Sequence, residues 1–314
     1  MARLVPSTQP GTDKLDEALG LVESHFRDRP VPRTLADKEL SELLELAVRK
    51  TTTSAHVEPI RIVRQFACTG GTLICRGLGA QPNTRILSEI DPFNTDHLLR
   101  KRAGFTPTDL IQLADSRLHP LDEALKGEMF LAALDKLYAG ATRLGRRLVL
   151  REHSHGRFCT SADWTQRRSV GELVSETYIT RSLVTVRHPL DSWLSLNANE
   201  WRHFSPFTLE EYSKRYLAFI DDCGDLPVFR YEDFVSEPER VMREMCEQLD
   251  LTLNPSWQTL ITAVSLSGDS GRSGLTIAPR SRREVPEETV SEVKKSKTFQ
   301  TLCKRLGYNA EVSA

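Results

Sequence analysis

The sequence predicts an α/β protein: a central parallel sheet with helices on both faces, preceded by a helical extension. Three observations carry this. After residue 60, short apolar runs rich in β-branched residues alternate with segments of helical length. The first run leads straight into the small residues "ACTGGT", at the strand end where parallel sheets place their ligand-binding turns. Residues 12–57 show helical periodicity and no strand pattern.

Taken in order, residues 1–11 hold two prolines, Pro6 and Pro10, and polar residues, and are expected to lack fixed structure. Helices are expected over 13–26 and 35–48, separated by "RDRPVPR"; Leu40, Leu43, Leu44 and Ala47 share a face of the second. This gives a tail and helical extension over 1–57 and an α/β domain over 58–314. Strands are expected at 61–67, 84–89, 147–153, 182–188 and 226–231. The helical segments between and after them are 71–81, 108–118, 121–144, 190–199, 208–222 and 235–250.

Composition narrows the partners. Lys and Arg total 42 against 43 Asp and Glu, a net charge of −1, so no global field draws nucleic acid or an anionic membrane. Any anion must be held locally. No run approaches the roughly 20 apolar residues of a membrane span, and the N-terminus lacks the apolar centre of a secretory signal. Six scattered cysteines without a CxxC pair fit free thiols in a reducing compartment, and the cytoplasm is the expected location.

Four segments carry chemistry. In "CTGGT", Gly70 and Gly71 let backbone N–H groups close around an anion at the start of the next helix, with Thr69 and Thr72 as hydroxyl donors. Leu73 opens that helix. The loop lacks the lysine of G-x-x-x-x-G-K-[ST], which disfavours magnesium-dependent ATP chemistry of the usual kind. In "LVTVRHPLDSWLSL", Arg187 ends a strand and Ser195 lies two turns up the following helix, so the two can grip one phosphate. "VFRYED" places Tyr231, Glu232 and Asp233 after the last strand. "SGDSGRSGLTIAPRSRR" is a glycine- and serine-rich loop with Arg272, Arg280, Arg282 and Arg283.

Together these segments resemble the sulfotransferases that use 3′-phosphoadenylyl sulfate (PAPS) and release 3′-phosphoadenosine 5′-phosphate (PAP). The resemblance covers residues 60–285. It implies a P-loop-type sulfotransferase fold with no metal ion. It implies that Cys68, Thr69, Gly70, Gly71, Thr72 and Leu73 hold the 5′-phosphosulfate, and that Arg187 and Ser195 hold the 3′-phosphate. Tyr231 would lie by the adenine, and Gly271 and Arg272 would close over the nucleotide. The chain departs from the family at Cys68, where lysine or arginine is usual. Arg64, Arg151, Arg272, His153 and His155 are the candidates for the missing cation. A lowered thiol pKa at a helix start is a further expectation for Cys68, beside the plainer one that a small residue fits the turn.

Glu89, at the end of the second strand, is the expected general base; His153 and His155 in "LREHSHGRFC" are the alternatives. A zinc reading of His153, His155 and Cys159 lacks a fourth ligand. Trp201, His203, Phe204 and Phe207 are candidates for an acceptor pocket. The expected partner is a small-molecule or glycan acceptor, with a homodimer left open. Two readings stand beside the transferase: an atypical P-loop phosphotransferase, and a catalytically silent PAPS or PAP binder.

Overall fold

The computed structural model describes residues 57–93, 110–114, 120–161, 163–266 and 277–312. The chain divides into two units, Met1–Val57 and Glu58–Ala314. The N-terminal helices expected over 13–48 lie outside the described residues.

Five strands form one parallel sheet: β1 (Ile60–Gln65), β2 (Thr84–Ile90), β3 (Arg147–Glu152), β4 (Thr180–Val186) and β5 (Val228–Arg230), in the order β2-β3-β1-β4-β5. β1 is central and buried along its whole length. Strand alternation divides its side chains between two apolar layers. Ile60 and Ile62 join Leu134 and Ala141 of α3 (Glu123–Arg143) and Val170 and Val174 of α5 (Val170–Ser175). Val63 joins the other layer, with Leu73, Ile74 and Leu78 of α1 (Gly71–Gly79) and Val241, Met242 and Met245 of α9 (Pro238–Gln248). Helices therefore cover both faces. Among the described residues no helix is long and apolar enough to cross a membrane.

The strand order positions the site. The chain leaves β1 toward β3 and β2, and later crosses from β3 to β4 on the other side of β1. Such a reversal opens a crevice beyond the carboxyl ends of the strands. The loops after β1 and β4 flank it.

The remaining helices are α2 (Leu110–Ala114), α4 (Ser154–Phe158), α6 (Pro189–Ala198), α7 (Leu209–Cys223), α8 (Tyr231–Ser236), α10 (Trp257–Leu260), α11 (Glu287–Lys295) and α12 (Lys297–Leu306). The last two were not expected from the sequence. Ser296 caps α12 by accepting from the Phe299 N–H, and Gly307 closes it at φ +69°. Phe299, Leu302 and Leu306 are buried against Tyr216, Phe219 and Ile220 of α7. Each such side chain contributes about 1.5–3 kcal/mol on full burial.

Candidate active site

β1 delivers the glycine turn to the crevice. Phe66 leaves the strand into the core, stacked on Tyr216 with ring centroids 4.4 Å apart. Thr69 folds back, its hydroxyl donating to the Phe66 carbonyl at 2.8 Å. Cys68 and Gly70 have φ of +61° and +83°. Gly70 is required twice over: its φ suits glycine, and a Cβ there would lie 2.2 Å from the Tyr231 ring. α1 then begins at Gly71 with no side-chain cap and no acidic residue in its first turn. Its positive end is left uncompensated by its own first turn.

One flank of the turn comes from β4 and α6. Arg187 donates to the Cys68 carbonyl at 3.3 Å, and its guanidinium lies 4.9 Å over the Tyr231 ring. Among the described residues it has no carboxylate partner. The Ser195 hydroxyl and the Asn199 amide both turn toward the Cys68 thiol, Asn199 at 3.8 Å. Residues 187 and 195 and the glycine turn thus share one surface. His188 caps α6: its Nδ1 accepts from the Leu190 N–H at 3.1 Å, while Nε2 donates to the Asn309 carbonyl at 2.9 Å. Burial, with Arg282 nearby, holds this imidazole below its ordinary pKa and so neutral, as the cap requires. Arg282 pairs with Asp191 in the first turn of α6 at 2.9 Å.

The other flank comes from β2 and β3. The register of this pair shifts between Leu87 and Ile90, and Glu89 takes φ +60°. The bulge re-aims Glu89, at a backbone cost characteristic of functional positions. Its carboxylate meets Arg151 Nη1 at 2.7 Å and His153 Nε2 at 3.3 Å. Arg151 also donates to the Thr72 hydroxyl at 3.0 Å and the Ser88 hydroxyl at 2.9 Å. The Gln65 amide oxygen, turned toward Arg151, accepts from Nη2 and Nε at 2.6 and 2.5 Å. Base candidate, buried cation and helix start are therefore one hydrogen-bonded unit. His155 stacks on His153 with centroids 5.9 Å apart and meets Trp201 and His203 edge-on at 5.4 and 5.7 Å.

The structure decides several readings that the sequence left open. Arg64 does not supply a cation to the turn. It sits on the opposite side of β1 from Gln65, bound to Glu152 and Asp222, each at 2.6 Å. The Cys68 thiol is not activated: its enclosure pushes it up to about 11, against the opposing influence of Ser195 and Arg187. Phe204 is buried in the core, and Phe207 packs beside it on Trp193 with centroids 4.8 Å apart. Only Trp201 and His203 of that segment turn toward His155. Cys159 is fully buried, and among the described residues no group of three or more His, Cys, Asp or Glu could hold a metal ion. Gly271 and Arg272 lie outside the described residues.

Three contributors escaped sequence reasoning. Gln65 and Ser88 are ordinary polar residues in strands, with no signal of their own. Asn199 lies four residues after Ser195, one turn up the same helix face, and that spacing was available. A separate cleft of about 530 Å³ is lined by Arg157, Trp164, Arg167 and Asp222 among others, and none of the turn residues borders it.

No protein-family model matches the chain, and no curated protein does. Solved structures do. One is a sulfotransferase from Alicyclobacillus acidocaldarius, with 14% identity over 80% of this chain and 97% of that one and a TM-score of 0.44. Another is the sulfotransferase domain of the Synechococcus PCC 7002 olefin synthase, with 17% identity over 82% and 98% and a TM-score of 0.46. A third is mouse sulfotransferase SULT7A1 complexed with PAP, with 13% identity over 81% and 85% and a TM-score of 0.39. Likeness this distant assigns this chain no donor, acceptor or mechanism, which must come from its own residues.

Proposed function

We propose that the chain is a sulfotransferase that moves the sulfuryl group of PAPS to a hydroxyl or amine of a small-molecule or glycan acceptor. The observation that carries this is Arg187. A cation without a carboxylate partner among the described residues, stacked on Tyr231 and bonded to the glycine turn, is arranged for an anionic ligand. Ser195 lies with it, and the uncapped start of α1 offers a second anion site beside it. A nucleotide with phosphates at both its 3′ and 5′ positions satisfies both; ATP satisfies one.

PAPS supplies an activated sulfuryl group at its 5′ end. The residues supply the rest. The first N–H groups of α1 and the Thr72 hydroxyl hold the 5′-phosphosulfate, while Arg187 and Ser195 hold the 3′-phosphate. Glu89 takes the proton of the acceptor hydroxyl as its oxygen bonds to sulfur and the bond from sulfur to the phosphate oxygen breaks. Arg151 answers the absence of a cation at position 68. It reaches the turn from β3 through Thr72 and sets positive charge where negative charge builds on the departing 5′-phosphate. The same reading puts the acceptor against His153, His155, Trp201 and His203, and the protein in the cytoplasm.

Thermal shift tests this. PAP at 100 times its Kd stabilises by about 2.7 kcal/mol, a rise of roughly 5–10 °C for a domain of this size. ATP with magnesium gives a smaller rise; the reverse ranking contradicts the proposal. Cys68 also favours a silent binder as a second reading. Tight PAP binding with no transfer from labelled PAPS to any component of a cell extract would establish it.

A further inference from the structure

A buried charge network lies behind the catalytic edge, on the face of the sheet opposite Gln65 and Arg151. Arg64 Nε donates to Glu152 at 2.6 Å, and its Nη2 donates to Asp222 at 2.6 Å. Arg157 grips Asp222 with both terminal nitrogens, each at 2.8 Å. Glu152 also accepts from the N–H of Val170 at 3.1 Å. Arg64, Glu152 and Arg157 are all buried. The two arginines and two carboxylates balance in charge. Burial disfavours the Asp222 carboxylate, but hydrogen bonds from Arg157 and Arg64 outweigh it and leave its pKa lowered.

The network's placement gives it a role. Glu152 stands between Arg151 and His153 at the end of β3. Strand alternation turns it to the far face and its two neighbours toward the site. The His153 N–H in turn donates to the Ile90 carbonyl at 2.9 Å, next to Glu89. Arg157 closes α4, the short helix that carries His155. The turn bearing His153 and His155 is therefore tied down on both sides, at 152 through Arg64 and at 157 directly. Both ties end on one carboxylate in the last turn of α7, and Asp222 touches neither the glycine turn nor Arg187.

We infer that Asp222 is a positioning residue: through Arg64–Glu152 and Arg157 it fixes the strand end and turn that aim Glu89, His153 and His155. This rests on the proposed transfer reaction and deepens it. Displacement of a base by about 1 Å costs up to 100-fold in rate, whereas Arg187 and Ser195 come from β4 and α6, outside the network.

The test is Asp222→Asn, which keeps shape and removes the charge, with Asp222→Glu as its rescue. The asparagine variant is expected to bind PAP as the wild type does. It should lower kcat about 10–100-fold with the KM for PAPS within twofold, and the glutamate variant should recover most of the loss. The imidazole proton resonances of His153 and His155 should move while those of His188 stay. A lower melting temperature with kcat per folded molecule unchanged would overturn the inference and leave Asp222 a purely structural residue. Should Asp222→Asn fail to melt cooperatively, Arg157→Gln carries the same test, because it frees α4 and leaves the Arg64 ties in place; an unchanged kcat there overturns the inference equally. Failure of the wild type to bind PAP or transfer sulfate strikes the proposed function instead. The imidazole resonances alone then decide the positioning role.

Discussion

The two flanks of the glycine turn treat charge in opposite ways. On the β2–β3 side Arg151 is paired: Glu89 holds it at 2.7 Å, and Thr72, Ser88 and Gln65 complete its hydrogen bonds. On the β4 side Arg187 meets only a carbonyl and an aromatic face among the described residues. Both are arginines within reach of the same five-residue turn. A paired cation organises its neighbours and keeps its geometry without a ligand. One without a carboxylate partner has its donors left for an anionic ligand. Under the proposed function the first flank carries catalysis and the second holds the nucleotide.

The largest expected effect breaks the catalytic flank alone. Glu89→Gln should slow transfer about 100-fold or more, the scale of a lost general base, with PAP affinity unchanged; normal turnover would move the base role to His153 or His155. Arg187→Ala should do the converse. Loss of a charge-assisted hydrogen bond of about 1.5–3 kcal/mol weakens PAP roughly 10–100-fold, and unchanged affinity measured by calorimetry would remove Arg187 from the site.

A complementation experiment sharpens the comparison further. Arg151→Gln should cut kcat, and adding Cys68→Lys should restore part of it by returning the cation to the turn. Failure of the lysine to rescue, in a protein that still binds PAP, would show that Arg151 acts only by holding Glu89. Ser195→Ala should have a smaller effect, about 3–10-fold on PAP affinity, because one hydroxyl donor is lost while the Arg187 charge stays.

The parallel sheet was legible because its signals are local: β-branched runs, the Thr-Gly-Gly-Thr turn and the helical periodicities all lie within short windows. The same holds for Arg187 and Ser195, set by one strand–turn–helix. Longer-range pairings were not legible. Nothing in the sequence near Arg64 tells that it faces away from the turn toward Asp222, 158 residues later. The bulge that aims Glu89 arises from a register shift against β3, and no window around Glu89 contains β3. For Phe204 and Phe207 the sequence left core and pocket open, because an aromatic cluster reads the same in a core as in a cleft. For Cys68 the sequence left two readings open: a helix start lowers a thiol pKa, but desolvation is a tertiary fact, and it outweighs the opposing influence of Ser195, Arg187 and Asn199.

The smallest expected effect concerns the donor flank's own support. His188 must be neutral to cap α6, and its folded pKa is lowered. The unfolded chain takes a proton near pH ~6.5, so this contribution is complete above that value and is lost as the pH falls through the lowered folded value. Melting temperatures at pH 7.5 and 5.5 should differ more for the wild type than for His188→Asn, which caps without titrating. Equal slopes would show that the imidazole does not serve as the cap.

The central claim is that one ligand is clasped at two phosphates, and calorimetry with two nucleotides tests it most directly. PAP and adenosine 5′-monophosphate differ only in the 3′-phosphate. In the wild type PAP should bind at least about 10-fold tighter, the value of one charge-assisted contact, and in Arg187→Ala that advantage should vanish while adenosine monophosphate binds as before. Equal affinities in the wild type, or a loss shared equally by both nucleotides in the variant, would contradict the account.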